Sequence, residues 1–129
     1  MTGVQTCALP IFIGITGTNG KTTATALCGH LLEAGGLDVA TAGNIGRPLC
    51  DVALLELQPD WVVVELSSFQ LADQDTFLPD IGVLLNLAPD HLDRYTSLER
   101  YYGDKRRLDR KSTRLNSSHM SESRMPSSA

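Results

Sequence analysis

Apolar and polar positions alternate along the chain in blocks that switch between strand and helix periodicity. Phe12 to Thr16 is a short apolar strand that runs into a polar, glycine-containing loop. From Lys21 to Ala34, Ala24, Leu27, Cys28, Leu31 and Leu32 recur at helical spacing, and Gly35-Gly36 ends the helix. Leu37 to Ala42 is a second strand, followed by the turn-rich Gly43-Asn44-Ile45-Gly46-Arg47-Pro48. Leu49 to Leu57 reads as a helix whose apolar face is Leu49, Val52, Ala53 and the leucines at 55 and 57. Trp61 to Leu66 (WVVVEL) is nearly continuous and β-branched, as in a strand buried on both faces. Ser67 to Gln74 is a loop or short helix, and Ile81 to Leu87 is another buried strand. Ala88 to Tyr95 is a loop. Ser97 to Leu108 is a polar helix with Leu98, Tyr101, Tyr102 and Leu108 as its apolar contacts.

Strands alternating with helices predict an α/β fold: a parallel sheet with flanking helices and right-handed crossovers. Ligands of such sheets bind beyond the carboxyl ends of the strands. The polar loops TGTNGKT, GNIG, ELSSFQ and APDHLDRY all follow strands, so they should converge on one edge.

The first of these loops has the form of a phosphate cradle. Strand, glycine-rich turn and helix N-terminus present backbone N–H groups and a positive dipole end to an anion. Gly17 and Gly20 allow close backbone approach. Lys21 can reach terminal phosphates, and the Thr22 hydroxyl can ligate Mg²⁺. The pattern is the short Gly-x-x-Gly-Lys-Thr form, because Ile15 stands five positions before Gly20.

Composition narrows the class. The chain has 129 residues, 42% hydrophobic and 20% charged, which suits one soluble domain. A net charge of -4 argues against general nucleic-acid binding. No apolar run approaches the ~20 residues of a membrane span. Cys7, Cys28 and Cys50 lack metal-type spacing, and an odd count gives no disulfide framework, so a reducing cytoplasm fits.

The two ends change this picture. Asp109 to His119 (DRKSTRLNSSH) matches the translation of a common sequencing-library adapter, and Ser123 to Ala129 matches its continuation. Thr2 to Ile11 (TGVQTCALPI) resembles the translated reverse complement. The expected organisation is therefore an adapter-derived segment at 1–11, a natural segment at 12–108 and an adapter-derived, disordered tail at 109–129. The natural segment carries seven basic and thirteen acidic residues, a net charge of -6.

Several residues within it are chemical candidates. Glu65 is a carboxylate ending an apolar strand, so it is either bound to metal or paired at the sheet edge. His91 lies beside Asp90 and Asp93; it is a structural residue or a ligand, with Asp90 as competitor for a hard cation. Asn44 sits between glycines, as a turn residue or a substrate contact. Ser67, Ser68 and Gln70 orient a substrate or cap a helix. Lys105, among Asp104, Arg106 and Arg107, reads from charge pattern alone as part of a solvated face.

Taken together and in order, TGTNGKTT, GNIG, VVVELSSFQL and LNLAPDHLDRY resemble the central domain of the Mur ligase family, and ELSSFQL is most similar to its D-glutamate-adding member. The resemblance covers Phe12 to Leu108 and implies a partial, P-loop-containing central domain of a three-domain enzyme. It implies that Gly17, Thr18, Asn19, Gly20, Lys21, Thr22 and Thr23 bind ATP phosphates. Thr22, Glu65 and His91 would hold Mg²⁺, with Lys21 and His91 also catalytic. Asn44, Ser67 and Gln70 would lie near a nucleotide-sugar substrate. Lys105 would be the lysine that reacts with CO₂, although GDKRR departs from the Ala-rich surroundings usual there. The implied reaction joins UDP-N-acetylmuramoyl-L-alanine to D-glutamate through an acyl phosphate, in a monomeric bacterial cytoplasmic enzyme of peptidoglycan synthesis. The isolated chain should not ligate. The alternatives are another Mur or folylpolyglutamate-type ligase, a stand-alone P-loop NTPase, or a fragment without activity.

Overall fold

The computed structural model describes residues 9–44, 46–89, 93 and 95–111. Four strands, β1 (Ile11–Thr16), β2 (Val39–Gly43), β3 (Trp61–Glu65) and β4 (Ile81–Leu84), alternate with four helices, α1 (Lys21–Ala34), α2 (Leu49–Ala53), α3 (Ser68–Asp73) and α4 (Leu98–Lys111). The strands form one parallel sheet in the order β2-β3-β1-β4. The α/β expectation therefore holds, and every strand delivers its following loop to the same sheet edge.

Strand alternation builds two apolar layers. On one face, Val62, Val64 and Leu66 pack with Ala42, Val52 of α2, Leu71 of α3 and Leu108 of α4. On the other, Val63 packs with Ile13 and Ile15 under Ala24, Cys28 and Leu32 of α1. Val62, Val63 and Val64 are at most 1% exposed, so β3 is buried on both faces, as its composition predicted.

The helix α1 is present where predicted, but its buried row is shifted. Thr25 and Gly29 are buried, while Leu27 and Leu31 are 55% and 60% exposed. Gly29 lies directly over the Thr41 side chain, so the missing Cβ lets the helix settle on β2 along the 24/25/28/29/32 rows. Its end closes by paired bonds from Gly36 N–H to the Glu33 carbonyl and from Leu37 N–H to the Leu32 carbonyl. These commit Leu37 to the helix cap, and β2 starts at Val39 instead of Leu37.

The helix predicted over 49–57 stops at Ala53. The Gln58 amide folds back and donates to the carbonyls of Val52, Ala53 and Leu55, giving the ending α2 carbonyls a side-chain partner. Leu49, Val52 and Leu55 face the core as expected, but Leu57 is 77% exposed and Ala53 is exposed. The strand predicted over 81–87 ends at Leu84. One more ladder-like bond follows, from Leu85 N–H to the Thr16 carbonyl, before Asn86 turns its polar groups to the phosphate loop.

Candidate active site

The loop after β1 is held close to the chain after β4. A Cβ on Gly17 would sit 3.1 Å from the Leu85 Cβ and 3.3 Å from the Asn86 nitrogen, so glycine permits this approach without pushing the neighbouring chain aside. Gly20 has φ of 85° and serves as the N-cap of α1, with no side-chain cap. The first-turn N–H groups of a helix have no intrahelical acceptor, and among the described residues no capping side chain competes for them here. No acidic residue occupies that turn. This end of α1 is chemically suited to an anion.

Two lysines meet at the loop. Lys21 Nζ donates to the carbonyls of Gly17 (2.9 Å) and Thr18 (3.1 Å). Lys105 Nζ donates to the same Gly17 carbonyl at 2.9 Å and lies 5.0 Å from the Tyr101 ring centroid. Lys105 is 2% exposed. That corrects the reading of a solvated charged face: α4 turns Lys105, Tyr101 and Leu108 inward, whereas Arg106 and Arg107 are exposed. Arg107 instead donates to the Leu71 and Ala72 carbonyls near the end of α3.

Glu65 ends β3 at 3% exposure. It points to the α1 face, where the Thr22 hydroxyl donates to Oε1 and Oε2 at 3.2 and 3.1 Å. The structure thus joins Thr22 and Glu65, which lie 43 positions apart. Thr23 is exposed beside them. Asn44 reaches the same edge, its N–H donating to the Glu65 carbonyl at 3.1 Å. Ser67 and Gln70 form a reciprocal capping box at the start of α3: Ser67 Oγ accepts from Gln70 N–H, and Gln70 Oε1 accepts from Ser67 N–H. Their capping role is realised in the structure. His91 and Asp90 lie outside the described residues.

These features, ordered along one sheet edge, fit the pattern of one protein family, and the comparison with known sequences decides it. The model of the Mur ligase middle domain matches residues 15–118. The chain belongs to the Mur ligase family. Its match extends past Leu108, as does α4, which continues to Lys111. Among curated relatives, the UDP-N-acetylmuramoylalanine–D-glutamate ligase of Nostoc sp. is 48% identical over 101 residues, 78% of this chain and 22% of the relative. The enzyme of the same name from Koribacter versatilis is 48% identical over 96 residues, 74% of this chain and 21% of the relative. The chain thus spans about a fifth of the length of these relatives.

Solved Mur ligases share the fold. The MurF ligase of Thermotoga maritima, solved in complex with ADP, gives a TM-score of 0.65 at 24% identity, covering 81% of this chain and 26% of that one. The UDP-N-acetylmuramate:L-alanyl-gamma-D-glutamyl-meso-diaminopimelate ligase from Neisseria meningitides gives 0.60 at 20% identity, covering 81% and 37%.

Two residues of this Mur ligase middle domain take on contacts that the sequence pattern did not assign. Asn86 bonds the loop backbone through its carboxamide. The Tyr101 hydroxyl lies 3.0 Å from Thr18 Oγ1, and Tyr101 is 1% exposed. Helical spacing identified Tyr101 only as an apolar contact, and Asn86 reads as a polar interruption after an apolar run. Beside Tyr101, a cleft of about 240 Å³ is lined by Phe69, Ala72, Tyr95, Thr96, Arg100 and Asp104; it includes no phosphate-loop residue. Phe69 and Tyr95 stack there at 5.7 Å. Burial pushes the Tyr95 phenol above its ordinary range, with the Ser68 hydroxyl acting in the opposite direction.

Proposed function

We propose that this chain is part of the ATP-binding middle domain of a ligase that adds D-glutamate to UDP-N-acetylmuramoyl-L-alanine. The observation that carries the reading is the junction of Thr22 and buried Glu65 beside Lys21 at the mouth of the phosphate loop. The names of the relatives support these substrates. In the reaction, the substrate carboxylate attacks the γ-phosphorus of ATP, an O–P bond forms and ADP leaves. The amine of D-glutamate then attacks the acyl carbon and phosphate departs, leaving an amide.

The first step brings two anions together, so its barrier falls when positive charge is fixed beside the transferring phosphoryl group. Lys21 supplies that charge by exchanging its loop carbonyls for phosphate oxygens, and the α1 N-terminus orients the polyphosphate. The Thr22 hydroxyl and Glu65 carboxylate are hard oxygen donors and fit Mg²⁺, with His91 as the third candidate. Bound Mg²⁺ supplies charge neutralisation and a template for the phosphates. Asn44, Ser67 and Gln70 are the candidate contacts to the nucleotide-sugar substrate, with Ser67 and Gln70 also committed to the capping box of α3. Lys105 captures CO₂ as a carbamate: the ammonium gives up one proton to become the attacking amine, a second leaves as the N–C bond forms, and the group ends as an anion. That change replaces one of two ammonium groups converging on the Gly17 carbonyl with an anion and relieves their repulsion.

By its resemblance to the family, we propose a monomeric parent enzyme of the bacterial cytoplasm. Separately, no helix among the described residues is long and apolar enough to cross a membrane. Residues 12–108 are its natural segment, and the flanking peptides are adapter-derived. Sequencing the source locus and expressing the complete reading frame tests both statements. The expected genome departs from the 1–11 and 109–129 peptides. The expected enzyme releases phosphate only when ATP, UDP-N-acetylmuramoyl-L-alanine and D-glutamate are all present, whereas the 129-residue chain forms no amide. Phosphate release without either acceptor would favour a stand-alone NTPase.

A further inference from the structure

We infer that Asn86 is the positioning residue that sets the shape of the phosphate loop; the inference rests on the nucleotide-binding reading above. Its carboxamide uses both ends. Oδ1 accepts from Thr18 N–H at 3.0 Å and Asn19 N–H at 2.9 Å, while Nδ2 donates to the Asn19 carbonyl at 2.8 Å. The Asn86 backbone carbonyl accepts a further bond from Thr18 N–H at 3.1 Å. Two residues on, Ala88 N–H donates to Thr18 Oγ1 at 2.9 Å.

The placement follows from register. Thr16 pairs with Leu84, and Leu85 N–H still reaches the Thr16 carbonyl. The next residue of the β4 chain therefore arrives beside the loop after β1. Gly17, lacking a Cβ, keeps the two segments close enough for a two-carbon side chain to span them. An amide is the side chain that can accept two N–H bonds and donate one to a carbonyl while staying neutral. Neutrality matters, because a carboxylate here would repel the phosphates that the loop receives.

The consequence is a division of labour within the loop. Thr18 and Asn19 spend their N–H groups on Asn86, so they act as the fixed wall. The helix-start N–H groups and Lys21 are left to meet phosphate. A loop whose N–H groups are already oriented binds without the entropic cost of ordering them.

Amide hydrogen exchange and Mg·ATP titration of the full 129-residue chain test this. In the wild type, the Asn19 amide should exchange at least tenfold more slowly than an unbonded surface amide, despite the exposure of Asn19. Asn86→Ala should abolish that protection and weaken Mg·ATP binding about tenfold, while the slow amides of β3 stay protected. Asn86→Asp, which keeps the acceptor and loses the donor, should retain Asn19 protection yet still bind Mg·ATP more weakly than wild type. An unprotected Asn19 amide in the wild type overturns the inference whether or not either variant folds. Unchanged Mg·ATP affinity in a folded Asn86→Ala chain overturns it as well. Absence of Mg·ATP binding by the wild type overturns the nucleotide reading and the inference together, so the two failures are distinguishable.

Discussion

Charge is concentrated at the end of a parallel sheet, and the individual side chains there answer to different physics. Thr22 and Glu65 meet because one begins α1 and the other ends β3; their types suggested cation chemistry, and the sheet register brought them into contact. Lys105 was misleading as a residue type, because its charged neighbours pointed to solvent while its position on α4 points inward. Helical spacing carried the signal, since Lys105 lies four residues after Tyr101 and three before Leu108 on one face of the helix, whereas charge pattern is blind to helix rotation. Tyr95 offers a test at this scale. Its folded value lies above the unfolded one because of burial, so on raising the pH the unfolded chain loses the proton first. The stabilising contribution is complete below about pH 10 and disappears as pH rises through the folded value. Tyr95→Phe should flatten the alkaline fall of Tm while leaving neutral-pH behaviour nearly unchanged. Parallel alkaline limbs in the two proteins would contradict this.

At the level of elements, alternating apolar blocks were enough to place all four strands and the two long helices. Boundaries moved wherever a side chain or cap captured the backbone: Gln58 ended α2, the Gly35-Gly36 closure delayed β2, and Asn86 ended β4. None of these captures leaves a periodic signal. Gly43 shows how tightly the sheet edge is built. Its φ is 132°, and an added Cβ would collide with the Glu65 backbone at the end of β3. Gly43→Ala should therefore cost on the order of 2–4 kcal/mol, through backbone strain and displacement of the neighbouring strand. Denaturant unfolding checks it; a loss below about 0.5 kcal/mol would place Gly43 among ordinary surface positions.

For the whole molecule, the decisive fact is that α1 lies on one sheet face while α2, α3 and α4 contribute to the other. With right-handed crossovers, a strand following α4 would be delivered to the outer side of β4. On the α1 face of this outer strand, the Ile81 and Val83 side chains are only partly buried. The same topology gathers the phosphate loop, Glu65, Asn44 and Asn86 at the carboxyl ends of the strands, where open parallel sheets bind ligands. The family and its fold were thus legible in four ordered loop motifs, while the loop's own support lay in contacts spanning about seventy residues. Calorimetric titration of Mg·ATP into the chain and its Lys21→Ala variant tests the central claim most directly. One saturable site, weakened at least tenfold by the substitution with the unfolding midpoint unchanged, is the predicted result. Equal affinities in the two proteins, or no saturable binding by the wild type, would contradict it.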